Sequence, residues 1–349
     1  MGYLRFSLCL AVIYLHLRSY TLSGQTAVLV FFVLSSFLTS YVTTEIYNHG
    51  FRSKLAFLAN RVVRIYPVYY ACLAFASACL LLIHPLPNFH EHTHFPVGAY
   101  NWLKQFTILG ISTSEEGRSI DFGVIVETAW SLSTEIFYYL IVGVLLGGRK
   151  WLTTCAFLWA VYYTIHCYNH RFTFMHFYCT IQGSVVAFML GAACYYHRGI
   201  IKKLGVCRLV PAILLANIAL YLPDFLKQFN ELLYFTANIS LSHNAGIRLN
   251  DIMISFCSLP LFAWIIVSLH QRQAKPSKYE QWLADISYPI FLIHIPATWI
   301  ILRVQPLLGL DRWLFFACVV LFSMLLSTIL VITVDRPLKK YRKLIRRKN

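Results

Sequence analysis

Apolar runs of roughly twenty residues, broken by short polar stretches that hold most of the charge, recur along the whole chain. A run of about 20 apolar residues is what a helix needs to cross a ~30 Å hydrocarbon core, and a helix satisfies its own backbone there. The runs predict ten spans: Tyr3–Tyr20, Ala27–Ile46, Tyr66–Ile83, Val126–Leu146, Trp151–Cys167, Phe174–Tyr196, Leu209–Leu222, Ile252–His270, Ile286–Val304 and Trp313–Val334. The fold class expected is therefore all-α, a polytopic membrane helical bundle of about ten transmembrane helices filling residues 1–349 as one domain. No small-residue cleavage site closely follows the first span, so that span is read as part of the working protein. The longest outer connection, residues 84–125, contains the apolar stretch Trp102–Ile111. It is too short to span and reads as re-entrant or interfacial. A second outer loop, Pro223–Asn250, is rich in Asn and Ser and suits contact with a polar acceptor.

Composition supports the same class. The chain is 58% hydrophobic and 13% charged, against about 25% charged in soluble proteins. The net charge of +16 suggests nucleic acid until the basic residues are placed. With both termini cytoplasmic, the inner loops and the basic tail 335–349 hold 21 of the 30 Lys and Arg residues. That asymmetry is the positive-inside bias, so the charge reports topology and contact with anionic lipid rather than nucleic acid. The ten cysteines lie mostly inside apolar spans with no CxxC pair, as small hydrophobes do.

Ionisable residues within the spans carry the chemistry, because such side chains are costly in a membrane and mark a functional site by default. Arg5 and His16 are eleven residues apart in the first span. That spacing returns both to nearly one helix face, about 16 Å apart along the axis. Arg5 then lies at the inner rim and His16 roughly 10 Å below the outer face. Glu135, on a span entering from the outer side near Val126, lies about 13 Å below that face. His16 and Glu135 thus fall at similar depth, where an imidazole held by a carboxylate forms an acid–base unit. The plainer alternative is structural, with His16 bonded to backbone and Glu135 paired to an arginine.

The stretch TAWSLSTEIFYYL sets Ser131 and Glu135 on one face at i, i+4, with Tyr138 close by and Trp130 as an interfacial aromatic. Ser131 has the hydroxyl of a nucleophile, although serine commonly packs between membrane helices. Arg61 and Arg64, three apart at the cytoplasmic rim, form a fork suited to phosphate, flanked by Tyr66 and Tyr69. Positive-inside charge is the alternative there. His294 lies mid-span between Pro289 and Pro296, either lining a cavity or bonded to a carbonyl that a proline frees. The loop HPLPNFHEHTHF offers His84, His90, Glu91, His92 and His94, but in a spacing that builds no closed metal site, so no metal is expected.

These residues, in this order, resemble the acyltransferase-3 family of integral-membrane O-acyltransferases. The matching features are Arg5-x10-His16, VFFVLSSFLTS (Val30–Ser40), RVVRIYP (Arg61–Pro67), WSLSTEIFYY (Trp130–Tyr139), SYPIFLIHIP (Ser287–Pro296) and DRPLKKY (Asp335–Tyr341). Two departures stand out: Ser36 where the family usually has Gly, and Asp335 where Glu is common before Arg-Pro. The first bears on helix packing and the second on a contact of the tail. The resemblance implies a multi-pass protein of the cell inner (cytoplasmic) membrane. It implies transfer of an acyl group, most often acetyl, from cytoplasmic acetyl-CoA to a hydroxyl of a cell-surface glycan or its lipid-linked precursor. It makes Arg5 and His16 the core of the active site, gives Glu135 a supporting role and puts Arg61 and Arg64 where the CoA phosphates enter. Trp130, Ser131, Tyr138 and His294 are then candidates for substrate contact. On the residues alone, a transporter of anions or protons remains a rival. A glycan-polymerising or sensing membrane protein is a second rival.

Overall fold

A computed structural model describes residues 1–18, 22–47, 50–83, 93–111, 123–202, 245–272, 275–309 and 311–347, and among these every regular element is helical. In chain order the helices are α1 (Gly2–Arg18), α2 (Leu22–Glu45), α3 (Phe51–Leu82), α4 (Ala99–Thr107), α5 (Ala129–Tyr138), α6 (Lys150–Asn169), α7 (Phe174–Cys179), α8 (Val185–Tyr196), α9 (Arg198–Lys202), α10 (Ala245–Gln271), α11 (Lys278–Leu308), α12 (Arg312–Leu330) and α13 (Arg336–Arg347). Two π-helical stretches, Tyr139–Leu145 and Val331–Asp335, follow α5 and α12. Among the described residues four helices are long and apolar enough to cross a membrane: Ser23–Glu45, Phe51–Leu82, Lys278–Gln305 and Trp313–Arg346. Shorter apolar helices, Gly2–Leu17, Ala129–Leu145, Val185–Tyr196 and Ser255–Gln271, accompany them. The predicted span Leu209–Leu222, most of the loop Pro223–Asn250, and His84, His90, Glu91 and His92 lie outside the described residues.

The centre of the bundle is α2, packed against α1, α8 and α10. Its small polar residues explain the position. Ser36, Thr39, Ser40 and Thr43 are all buried, as suits a membrane interface where small side chains let backbones approach. Ser36 donates from its hydroxyl to the backbone carbonyl of Phe188 on α8. Opposite it, a Cβ added at Gly191 would lie 2.1 Å from the Val33 carbonyl oxygen. The serine that departs from the family's glycine is therefore part of the packing, with Gly191 supplying the close approach. A second layer forms where α11 packs on α1, α3 and α12.

Three predicted elements differ. The span drawn from Tyr66 to Ile83 is the second half of α3, which begins at Phe51 and runs through Pro67. Its basic first half stays helical because its cations find partners: Lys54 Nζ donates to the Val144 carbonyl at 2.6 Å, and Arg61 lies over two aromatic rings. The span Phe174–Tyr196 breaks into α7 and α8. The Thr180 hydroxyl donates to the His176 carbonyl at 2.6 Å and accepts from the Gly183 N–H at 3.0 Å. A Cβ at Gly183 would sit 1.8 Å from the His176 oxygen, so the chain turns back too closely for any side chain. Third, the basic tail is a helix, as its pattern suggests, but α13 packs on α3. Lys339 reaches Asp285 on α11 at 2.6 Å, while Asp335, just ahead of α13, pairs with Arg342 along the same helix at 2.9 Å. Asp335, the other family departure, thus pairs within the tail's own helix.

The apolar stretch at Trp102–Ile111 forms the end of α4 and the turn after it. Three phenols of α3 hold its last carbonyls: Tyr66 donates to Thr107 at 2.6 Å, Tyr69 to Gln105 at 2.7 Å and Tyr70 to Phe106 at 2.9 Å. The final carbonyls of a helix lack intrahelical donors, and these hydroxyls supply them. Tyr66 and Tyr69, expected to flank a phosphate site, are committed to this seat instead.

Candidate active site

A cavity of about 300 Å³ opens among α1, α2, α3, α5 and α11, within the size range of small-ligand sites. Arg5, Arg61, Arg64, Ser131 and Glu135 all line it. These residues come from three separate helices, so the bundle gathers groups that are up to 130 positions apart in the chain.

Glu135 is held from two sides. Its carboxylate accepts from the hydroxyl of Ser35 on α2 and from that of Tyr139, one turn on. The ring of Tyr139 also lies 4.8 Å from the Arg61 guanidinium carbon, and the ring of Phe57 lies 5.1 Å from it on α3. Cation–π contact in a desolvated site is worth about 2 kcal/mol or more. It holds a guanidinium here without consuming its N–H donors on a carboxylate. Phe57 is itself fixed, because Gly143 leaves room for its ring: a Cβ there would meet Phe57 Cε1 at 2.5 Å. Arg5 lies in the electrostatic field of Glu135, Arg61 and Arg64. One carboxylate among three guanidiniums leaves the cavity with a net positive charge, suited to a ligand with more than one negative charge.

The other predicted site residues lie elsewhere. His16 and His294 are neighbours, with ring centroids 5.1 Å apart, and neither is part of the cavity lining. His294 is buried, with Nδ1 3.1 Å from the Ile290 carbonyl. That carbonyl is the ordinary i−4 acceptor of the helix, not one freed by Pro296. Ser35 and Tyr139 both donate to Oε1 of Glu135, while the His16 ring lies against that of His294. Ser131 lines the cavity while its hydroxyl donates to the Thr128 carbonyl at 2.9 Å. Tyr138 turns away, donating to the Ile181 carbonyl at 2.8 Å and stacking on Phe188 at 3.9 Å. Trp130 packs between Phe32 and Tyr178.

Sequence reasoning overlooked Tyr139, Ser35 and Arg346, which also lines the cavity. Tyr139 was accessible by the helical i, i+4 rule from Glu135, which selects it over Tyr138. Ser35 and Arg346 carry no local signal, since only the packing of α2 and α13 brings them in.

Among the described residues no group of His, Cys, Asp and Glu gathers as a metal site does. Comparison with curated proteins and with solved structures gives no match. The family model for acyltransferase-3, described as an acyltransferase domain, matches residues 1–332 of the 349. With its apolar helices and its arginine-lined cavity, this chain belongs to the acyltransferase-3 family and is a membrane acyltransferase.

Proposed function

We propose that the protein is an O-acyltransferase that takes an acyl group, acetyl in the first instance, from acyl-CoA. It passes that group to a hydroxyl of a cell-surface glycan or its lipid-linked precursor. The observation that carries this reading is the gathering of Arg5, Arg61 and Arg64 around one cavity in a chain of this family. Guanidiniums gathered at one cavity match the phosphate-rich nucleotide end of CoA, and Tyr139, bonded to Glu135, holds that of Arg61. In this reading the bundle crosses the inner membrane about ten times with both termini cytoplasmic. The cavity faces the cytoplasmic acyl-CoA pool, α13 lies at the inner lipid surface, and the acceptor approaches from the outer side.

His16 is the proposed base. It stands three turns along α1 from Arg5, about 16 Å by helical rise, a span that an extended pantetheine arm covers. The imidazole takes the acceptor hydroxyl proton as the oxygen attacks the thioester carbonyl. Collapse of the tetrahedral intermediate breaks the C–S bond, and the proton returns from His16 to the departing thiolate. Products are the acyl ester and CoA-SH. Ser131 and Glu135 line the route, and His294 supports the His16 ring from the side.

The test supplies labelled acetyl-CoA to inverted membrane vesicles containing the protein and follows label into the glycan and lipid-linked saccharide fraction. Covalent label that depends on the protein and on His16 is the expected result. Vesicles that leave glycans unlabelled, or that carry the label across unattached, contradict the reading and favour a transporter.

A further inference from the structure

The match to the family ends at residue 332, yet a cation from beyond that point lines the cavity: Arg346, on α13. Two contacts hold the helix that brings it against its neighbours, Asn60 to Arg342 and Lys339 to Asp285. The Asn60 side chain on α3 donates from Nδ2 to the Arg342 carbonyl at 3.2 Å, and to the Tyr47 hydroxyl of the backbone stretch after α2 it lies at 2.9 Å. Arg342 is itself occupied by Asp335 at 2.9 Å, and Lys339 by Asp285 at 2.6 Å. Arg342 and Arg346 are one turn apart and so share a face of α13. The first guanidinium is taken up by Asp335 within the same helix, and the second is presented to the cavity that Asn60, Arg61 and Arg64 also line.

We infer that Arg346 completes an anion clamp with Arg61 and Arg64, and that this clamp takes the nucleotide phosphates of the acyl-CoA donor. This rests on the reading of the cavity as the donor site. α13 then acts as a binding element delivered by the tail, and its seat on α3 and α11 is what makes the donor site complete. The polar contacts of Asn60 and Asp285 hold α13 on α3 and α11, because the helix is largely exposed on its other faces, with Tyr341 and Leu344 outward.

The test measures binding of CoA, and separately of inorganic pyrophosphate, to the full-length protein in lipid nanodiscs by titration calorimetry. The variants are Arg346→Gln, Arg346→Lys and, as a control for net charge, Lys340→Gln, an exposed residue of the same helix outside the cavity lining. Expected is a roughly tenfold loss of CoA affinity in Arg346→Gln, partial recovery in Arg346→Lys and none of the loss in Lys340→Gln, each tenfold being about 1.4 kcal/mol. Added salt should weaken the wild type more steeply than Arg346→Gln. CoA binding by Arg346→Gln that equals wild type overturns the clamp and leaves the donor-site reading standing. Pyrophosphate binding that depends on Arg346, without CoA binding, keeps the clamp and removes the acyl-CoA reading. A wild type that binds neither probe removes both.

Discussion

Tyr139 ties the carboxylate of the site to one of its cations: its hydroxyl donates to Glu135 while its ring faces the Arg61 guanidinium at 4.8 Å. The two roles use different parts of one side chain, so substitution can separate them. Tyr139→Phe keeps the ring and removes only the hydrogen bond to a charged group, a loss of about 1.5–3 kcal/mol. Its expected effect is a ten- to hundred-fold fall in acyl transfer with donor affinity retained. Tyr139→Leu removes the ring as well, and should add a rise in the donor KM. Steady-state kinetics in vesicles with the two variants side by side checks the split.

Glu135 is the carboxylate set among four guanidiniums in the cavity wall. Glu135→Gln preserves the shape and both hydrogen-bond donors' target oxygen while removing the charge. The cavity then holds the guanidiniums of Arg5, Arg61, Arg64 and Arg346 with no carboxylate in its lining. Acyl transfer should fall by at least tenfold, with the donor bound as tightly as before or tighter. A Glu135→Gln protein with unaltered turnover would remove Glu135 from the mechanism.

His16 lies beside His294, outside the cavity lining. His16→Ala is therefore expected to abolish transfer while leaving CoA affinity within twofold of wild type. Calorimetry and product assay on one preparation make the distinction. A loss of both at once would show that the ring supports the fold rather than the chemistry.

The α2–α8 contact sets the stability of the bundle centre. Gly191→Ala places a Cβ 2.1 Å from the Val33 backbone oxygen, and backbone cannot rotate aside as a side chain does. Overpacking of this kind costs about 1–3 kcal/mol. The apparent melting temperature in detergent should drop by several degrees. Ser36→Gly, the change towards the family's usual residue, loses one hydrogen bond and about 1 kcal/mol. It should melt between wild type and Gly191→Ala.

What could be read from the residues was the class, the family and the charged core. Arg5, Arg61, Arg64, Ser131 and Glu135 stood out because polar groups in apolar helices are costly, and the structure gathers all five at one cavity. Three things could not be read. The start of α3 was hidden because basic residues ahead of Pro67 look like a loop, whereas Val144, Phe57 and Tyr139 supply partners that keep them helical. The α7–α8 break was hidden because Gly183 is compelled by the His176 carbonyl, a contact no periodicity encodes. The pairing of His16 was drawn from depth alone, and depth does not say which way a ring turns around its helix. Two counts put them at one height; in the structure Ser35 and Tyr139 donate to Glu135, and the His16 ring lies against that of His294.

Three tyrosine hydroxyls of α3 clasp the end of α4, beginning two residues after Arg64. Two residues of helix rise about 3 Å. The cationic pocket and the docking point of α4 are therefore adjacent storeys of one helix, with Pro67 inside the upper one. The spacing between the seat of α4 and the guanidiniums of Arg61 and Arg64 is thus set by the rise of α3 alone.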